Sequence, residues 1–189
     1  MGEQNQIDRI RSGDIQAFEN LFYTYYYPLC SYSYKITGCS EAARDAVQEV
    51  FMKIWNTRTG WYIKLSVKAY LFRAVRNQSL KLKESQQAHQ QLKNSEMEIM
   101  YFQELENLLT EKKLSLHSSR LTAEIWNIAE KMPEKRRQTF ELHRKHGLSY
   151  SEIADVMNIS RKTVENHLAR ALQEIREKLD CLAEFRIKE

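Results

Sequence analysis

"GLSYSEIADVMNISRKTVENHLARALQEIREKL", Gly147 to Leu179, divides into two helices separated by a tight turn. Ser149, with Glu152 three residues on, is the signature of a capping box, in which a hydroxyl and a carboxylate satisfy free amides at a helix start. Ile153, Ala154 and Met157 line one side of this short helix, and Ala154 is small where a crossing helix needs to come close. Asn158 and Ile159 end it, and Ser160 offers a cap to the next helix. Val164, Leu168, Ala171, Leu172, Ile175 and Leu179 then recur at intervals of three and four, which predicts one buried face. Arg161, Lys162, Glu165, Asn166, His167 and Arg170 fall largely outside that stripe. Lys and Arg can hydrogen-bond guanine, Asn can read adenine, and Glu can accept from cytosine, so these residues suit a helix laid in the major groove. The pattern predicts a helix-turn-helix with DNA as its partner. A plain helical hairpin with a solvated charged face would show the same caps.

Upstream of this pair, Pro133 stands where a first-turn proline belongs. Arg136, Arg137, Phe140, Leu142, Arg144 and Lys145 follow, giving apolar anchors with basic residues around them. Arg136 and Arg137, with Ser160 at the turn, are candidate phosphate contacts; an ordinary solvated surface is the competing reading. Before them, Leu121, Ile125, Ile128, Ala129 and Met132 form a helical stripe with Trp126 beside it. Residues 119–189 therefore read as a four-helix domain.

The whole chain has 189 residues and a formal net charge of +4, enough for one domain or two small ones, and mild enough to permit nucleic-acid contact without a polycationic tail. Pro and Gly are scarce, and three-to-four periodicity dominates, so an all-α fold is expected. No basic stretch followed by an apolar run opens the chain, and no segment is apolar for long enough to cross a bilayer. A cytoplasmic protein without direct membrane insertion is expected. Cys30, Cys39 and Cys181 make neither a metal-ligand cluster nor a disulfide framework, and the five histidines are scattered. Unpaired thiols, no metal and no cofactor are expected. No carboxylate pair or histidine constellation is arranged to activate a nucleophile, so the chain does not read as an enzyme.

Residues 1–84 read as a second helical domain. Asp14, Ala17, Phe18, Leu21, Phe22 and Tyr25 set its first stripe, and Leu29, Tyr32 and Ile36 continue it past Pro28, where a kink or a break is expected. Gly38 suits a left-handed helix exit, and Ser40 is expected to cap the following helix. That helix buries Ala43, Ala46, Val47, Val50, Phe51, Ile54 and part of Trp55. Its other face carries Arg44, Asp45, Gln48, Glu49 and Lys53, either a docking surface for a basic partner or plain solvated helix. Residues 57–66 break the periodicity. An aromatic loop beside positive charge can stack single-stranded bases, and Trp61 either does this or folds inward to close the core. From Val67 to Lys83, Val67, Tyr70, Leu71, Ala74, Val75 and Leu82 are core candidates. Lys68, Arg73, Arg76, Lys81 and Lys83 make this helix basic with no acid before Glu84, which favours a phosphate track, and Asn77 and Gln78 can add contacts to bases. Residues 85–118 open Gln-rich and turn acidic, and Leu92, Ile99, Phe102, Leu105 and Leu109 still permit helix. They read as a partly helical linker.

Four strings, in this order, carry a family resemblance: AFENLFYTYYYPLC, ARDAVQEVFMKIW from Ala43 to Trp55, KAYLFRAVRNQSL from Lys68 to Leu80, and MPEKRRQTF followed by the opening helix pair. The chain resembles the bacterial RNA polymerase sigma factors of the extracytoplasmic-function group, sigma-70-like proteins. The resemblance covers most of the chain outside the linker. It implies that Asp45, Gln48, Glu49, Phe51 and Trp55 dock on the clamp region of the largest polymerase subunit. It implies that the loop from Gly60 to Ser66, with Trp61 and Lys64, captures a flipped base of the non-template strand. Lys68, Arg73, Arg76 and Asn77 would hold the melting minus-ten element. Arg161, Lys162, Glu165, Asn166, His167 and Arg170 would meet minus-thirty-five DNA. The implied partners are core RNA polymerase, promoter DNA and an anti-sigma factor, in this group often membrane-bound. No zinc-binding anti-sigma module is expected after Glu189, so control is expected from such a separate partner. Trp61-Tyr62-Ile63 is bulkier than the family's usual loop, which puts promoter preference in question. The rival reading is a dimeric helix-turn-helix regulator with no place in the polymerase; Ser160, Thr163, Val164 and His167 have the spacing of such output domains.

Overall fold

The computed structural model describes residues 3–87 and 116–186, and their regular structure is entirely helical. The chain divides into two compact units at Lys112–Lys113. The linker residues 88–115, with the apolar positions and acids read there, lie outside the described residues, as does the side chain of Cys181. The two ends of the expected linker, 85–87 and 116–118, belong to helices.

The first unit contains α1 (Glu3–Arg11), α2 (Ile15–Thr37), α3 (Ser40–Asn56), a 3-10 turn at Arg58–Gly60, and α4 (Val67–Gln87). Asp14 belongs to the cap of α2 rather than to its stripe. Its Oδ1 accepts from the Ala17 amide at 3.0 Å, and its Oδ2 takes the Arg9 Nε at 2.7 Å. The amide bond first, and the guanidinium second, hold its carboxyl below the usual carboxylate value.

Pro28 breaks nothing: α2 is one helix through it. A proline inside a helix forfeits one backbone bond and crowds the preceding turn. Here both flanks are anchored, by Ala17 and Leu21 on one side and by Leu29, Cys30, Tyr32 and Ile36 on the other, all buried. Gly38 ends α2 in the left-handed region at φ 71°, donating its amide to the Tyr34 carbonyl at 2.7 Å. Because the chain reverses there, the cap of α3 falls one residue earlier than expected. Cys39 takes that position without a side-chain bond, and Ser40 is the first helical residue, buried.

The core of this unit lies between α2, α3 and α4. Every apolar position expected of α3 is buried, with Trp55 half-exposed. In α4 the buried face is rotated from the expected one. Ala69, Phe72 and Ser79 join Val67, Leu71 and Val75 inside, while Tyr70, Ala74 and Leu82 are half-exposed. Phe72 meets Tyr32 of α2 edge-on at 5.2 Å. Ser33 and Ser79 satisfy each other at 2.6 Å, so two buried hydroxyls carry no desolvation penalty. Burial pushes the Cys30 thiol up to about 12, which keeps it protonated and unreactive at neutral pH.

The second unit contains α5 (Leu116–Glu130), α6 (Glu134–Arg144), α7 (Tyr150–Met157) and α8 (Arg161–Arg186). Pro133 is the N-cap of α6, one position before its first turn. Ile128, Ala129 and Met132 pack with Phe140, Leu142, Leu148, Ile153, Val156, Met157, Val164, Leu168, Ala171 and Ile175 in one buried set. Trp126 lies edge-on to Phe140 at 5.5 Å. Two expected core residues are outside: Leu121 and Leu172 are exposed. Leu172 follows Ala171 directly, so the two point about 100° apart on the helix and only one can face the core. Ala154 is half-exposed, and Val156 takes the buried position instead.

Candidate nucleic-acid interface

In the second unit the local chemistry forms the helix pair as its caps predict. The Ser149 Oγ accepts from the Glu152 amide at 3.4 Å, and the Glu152 carboxylate takes the Ser149 amide at 2.8 Å, closing the capping box. Asn158 ends α7 in the left-handed region at φ 53°, a conformation its short polar side chain tolerates. Ser160 then caps α8, its Oγ accepting from the Thr163 amide at 3.0 Å. Val164, Leu168, Ala171 and Ile175 hold α8 down. That burial decides which residues face outward.

Arg161, Lys162, Asn166 and Arg170 are exposed on the first turns of α8, and Glu165 is half-exposed among them. Glu165 is bracketed by two cations, with Arg161 Nε at 3.6 Å and Lys162 Nζ at 3.3 Å. A base amino group approaching that carboxylate therefore meets it already charge-paired. His167 is half-buried at the edge of this surface. Burial first, then the charges of Arg136, Arg170 and Lys135, hold its ring below the usual histidine value, so it is neutral at pH 7.

The expected phosphate contacts Arg136 and Arg137 are engaged elsewhere. Arg136 bonds Glu174 of α8 at 2.8 Å, and Arg137 reaches the Glu130 carboxylate at 3.3 Å. Both ion pairs tie helices together within the unit. Only Ser160 of the three remains on the exposed turn, where its Oγ also meets the Thr163 hydroxyl at 2.8 Å.

In the first unit, Asp45, Gln48 and Glu49 are exposed on α3, as read from the sequence. Phe51 is buried and offers no free side chain of its own. It forms part of the floor of a groove of about 450 Å³ between α2 and α3, lined by Phe18, Phe22, Gln48, Phe51, Met52, Trp55 and Asn56. Trp55 is fixed in that groove, with Phe18 at 4.9 Å and the Arg58 guanidinium 4.4 Å over its ring. Met52 stands at the rim, 64% exposed. Sequence reading assigned Phe18 and Phe22 to the core stripe and passed over Met52. The available signal was the four-residue spacing of Phe18, Phe22 and Tyr26 beside the buried Ala17 and Leu21, which leaves these rings at the edge of the stripe.

On α4, Arg73, Asn77 and Lys81 are exposed and four residues apart along one side, with Lys68 and Arg76 half-buried and Lys64 exposed in the loop before them. Gln78 is not free for a base, because its amide donates to the Glu49 carboxylate on α3. Trp61 is corrected. It is 4% exposed and packs edge-on against Tyr70 at 5.7 Å, so it closes the core and presents no face to a base. Tyr62, 77% exposed, is the aromatic that this loop displays.

Among the described residues no group of three or more His, Cys, Asp or Glu is placed to hold a metal ion, and no helix is long and apolar enough to cross a membrane.

Two family models match the chain, Sigma-70 region 2 over residues 21–89 and Sigma-70 region 4 over residues 122–175, together about two thirds of it. The ECF RNA polymerase sigma-E factor of Escherichia coli (strain K12) is 24% identical over 95% of both chains. The RNA polymerase sigma-H factor of Pseudomonas aeruginosa is 22% identical, again over 95% of both. Among solved structures, CnrH in complex with the cytosolic domain of CnrY is similar at a TM-score of 0.61 and 20% identity, covering 95% of this chain and 97% of that one. The sigma factor RpoE in complex with the anti-sigma factor NepR from Bartonella quintana is similar at 0.56 and 17%, covering 86% and 96%. The first match takes in α2 from Leu21 onward, α3 and α4, and the second runs from α5 through the capped helix pair as far as Ile175 of α8. The chain belongs to the extracytoplasmic-function group of the sigma-70-like RNA polymerase sigma factors.

Proposed function

We propose that this sigma factor joins core RNA polymerase through the α2–α3 side of its first unit and grips promoter DNA with both units. The observation that carries the reading is the capped α7–α8 pair, whose buried stripe turns Arg161, Lys162, Asn166 and Arg170 outward together within the region 4 match. Residues 119–189 form the minus-thirty-five reader, with Glu165, His167 and Ser160 at its margin. Residues 1–84 form the docking and minus-ten domain. Asp45, Gln48, Glu49 and Trp55 contact the clamp region of the largest subunit over the apolar groove, whose floor includes Phe51. Lys64, Lys68, Arg73, Arg76 and Asn77 hold the melting strand, and Tyr62 replaces Trp61 as the residue offered to a base. Base stacking on an aromatic side chain contributes roughly 1–3 kcal/mol, and opening a base costs a few, so the loop and the basic helix share that work. Two weak grips at a spacing set by the polymerase act as one strong one. An anti-sigma factor, membrane-anchored in the common arrangement of this group, controls the protein by covering these surfaces. The solved relatives bound to NepR and to the cytosolic domain of CnrY support that partner class.

Transcription reconstituted with core polymerase tests the reading. Selective initiation from a promoter carrying both elements is expected only when this chain is added. A chain that binds a palindromic duplex as a dimer and never co-purifies with core would establish the rival regulator instead. Within that assay, Arg170→Ala is expected to weaken minus-thirty-five-dependent initiation by about 1–3 kcal/mol, the usual worth of one base-reading side chain. Unchanged promoter discrimination would place that arginine off the DNA.

A further inference from the structure

We propose that Arg136 serves promoter recognition as a positioning residue: its ion pair with Glu174 is a strut that sets how α8 is presented to DNA, and it contacts no phosphate itself. The inference rests on the minus-thirty-five reading of the second unit.

Arg136 lies in the first turn of α6, and Glu174 lies on α8, 38 residues further along the chain. Their 2.8 Å contact therefore spans two helices that local sequence does not hold together. It is also sheltered, with the two side chains only 22% and 23% exposed. Exposed ion pairs contribute little because water and salt screen them; a partly enclosed one between rigid helices is screened less. The Arg136 Nε is buried and has no hydrogen-bond partner of its own among the described residues. The guanidinium is thus turned into the helix contact rather than held out to solvent. Lys178 secures the other partner from below, its Nζ 2.7 Å from the second Glu174 oxygen. Both oxygens of Glu174 are therefore occupied, one across helices and one along α8.

The strut is placed to matter. Glu174 and His167 are seven residues apart, two turns of α8, and so lie on one side of it. The Arg136 charge reaches both: Lys178 first, and Arg136 with it, draw Glu174 down from the usual carboxylate value, and burial first, then Arg136 beside Arg170 and Lys135, hold His167 below the usual histidine value. The exposed Arg161, Lys162, Asn166 and Arg170 lie on the same helix, from four to thirteen residues toward its start from Glu174. A change in the angle of α6 on α8 is carried directly to them, since a helix moves as a rigid rod over three turns. A phosphate contact by Arg136 would first have to break this pair.

Holoenzyme binding to a promoter duplex, measured over a range of salt concentrations at a temperature where every variant is folded by circular dichroism, decides the point. Arg136→Ala, Glu174→Ala and the double substitution are each expected to reduce discrimination between a correct and a scrambled minus-thirty-five element by about tenfold, with the double no worse than either single. The salt slope is expected to stay at the wild-type value, because no phosphate charge has been lost. The exchange Arg136→Glu with Glu174→Arg, made in a Lys178→Ala background, is expected to recover most of the discrimination. If Arg136→Ala lowers the salt slope by about one while Glu174→Ala leaves binding intact, Arg136 is a phosphate contact and the strut is overturned. Unchanged discrimination in Glu174→Ala also overturns it, leaving the pair a matter of stability alone. If the unsubstituted holoenzyme shows no preference for the minus-thirty-five element, the functional reading itself fails, and this inference with it.

Discussion

Trp61→Ala is expected to destabilise the first unit by about 3–5 kcal/mol, the range for emptying a fully buried aromatic site. The residue is 4% exposed, and its ring closes the top of the core against Tyr70. The substitution removes both the apolar area and the edge-on ring contact, and the loop around it cannot collapse far because Arg58–Gly60 and Val67 pin its two ends. Urea unfolding followed by circular dichroism reads the effect as a lower midpoint at an unchanged slope. Tyr62→Ala is the informative control. It removes an exposed ring, so its midpoint is expected to stay near that of the unsubstituted protein, while affinity for single-stranded minus-ten DNA falls. A Trp61→Ala protein with the original midpoint and lost strand binding would restore Trp61 to the base-stacking role and remove it from the core.

A second large effect is expected at the groove between α2 and α3. Met52→Glu places a carboxylate at the rim of an apolar trough beside Phe22, Phe51 and Trp55. Since Met52 is 64% exposed, the folded chain alone should tolerate the charge within about 0.5 kcal/mol. Once a partner covers the groove, the same charge loses its water without gaining a counter-ion. Affinity for core polymerase is then expected to fall by about 2–4 kcal/mol, the scale of an interface hot spot. Titration of labelled protein with core polymerase measures this directly. Wild-type affinity in Met52→Glu would move the docking surface off this groove, leaving the exposed acids Asp45 and Glu49 as the remaining contact face.

These two experiments sit where sequence and structure part company. Trp61 and Tyr62 are adjacent aromatics in a stretch without periodicity, so no repeat assigns either one to an inside. The assignment comes from Tyr70, which lies on α4 and reaches Trp61 only after the loop has turned back. Leu172 failed for a related reason. It satisfies the spacing of its stripe, yet it neighbours Ala171, and the placement of α6 and α7 selects which of the two is covered. Arg136 and Arg137 looked like free cations because charge is visible in a sequence and its partner is not. Glu174 is 38 residues from Arg136, and nothing in the spacing announces the pair. Pro28 shows the opposite balance: a local rule of about 3 kcal/mol favoured a break, and buried contacts on both sides outweighed it.

What the sequence determined by itself was governed by neighbours in the chain, with the α3 cap and Pro28 as the exceptions. Helical periodicity set the all-α class. The Ser149–Glu152 box, the left-handed Gly38 exit and the Ser160 cap are contacts within four residues, and each formed as written. The four ordered strings were enough to point to the family. Tertiary structure alone decided which of two adjacent apolar side chains is inside, which cations are already paired, and where an unpaired apolar groove opens. Those outcomes depend on contacts between residues tens of positions apart, and a periodic pattern carries the direction a side chain points but not what it will meet there.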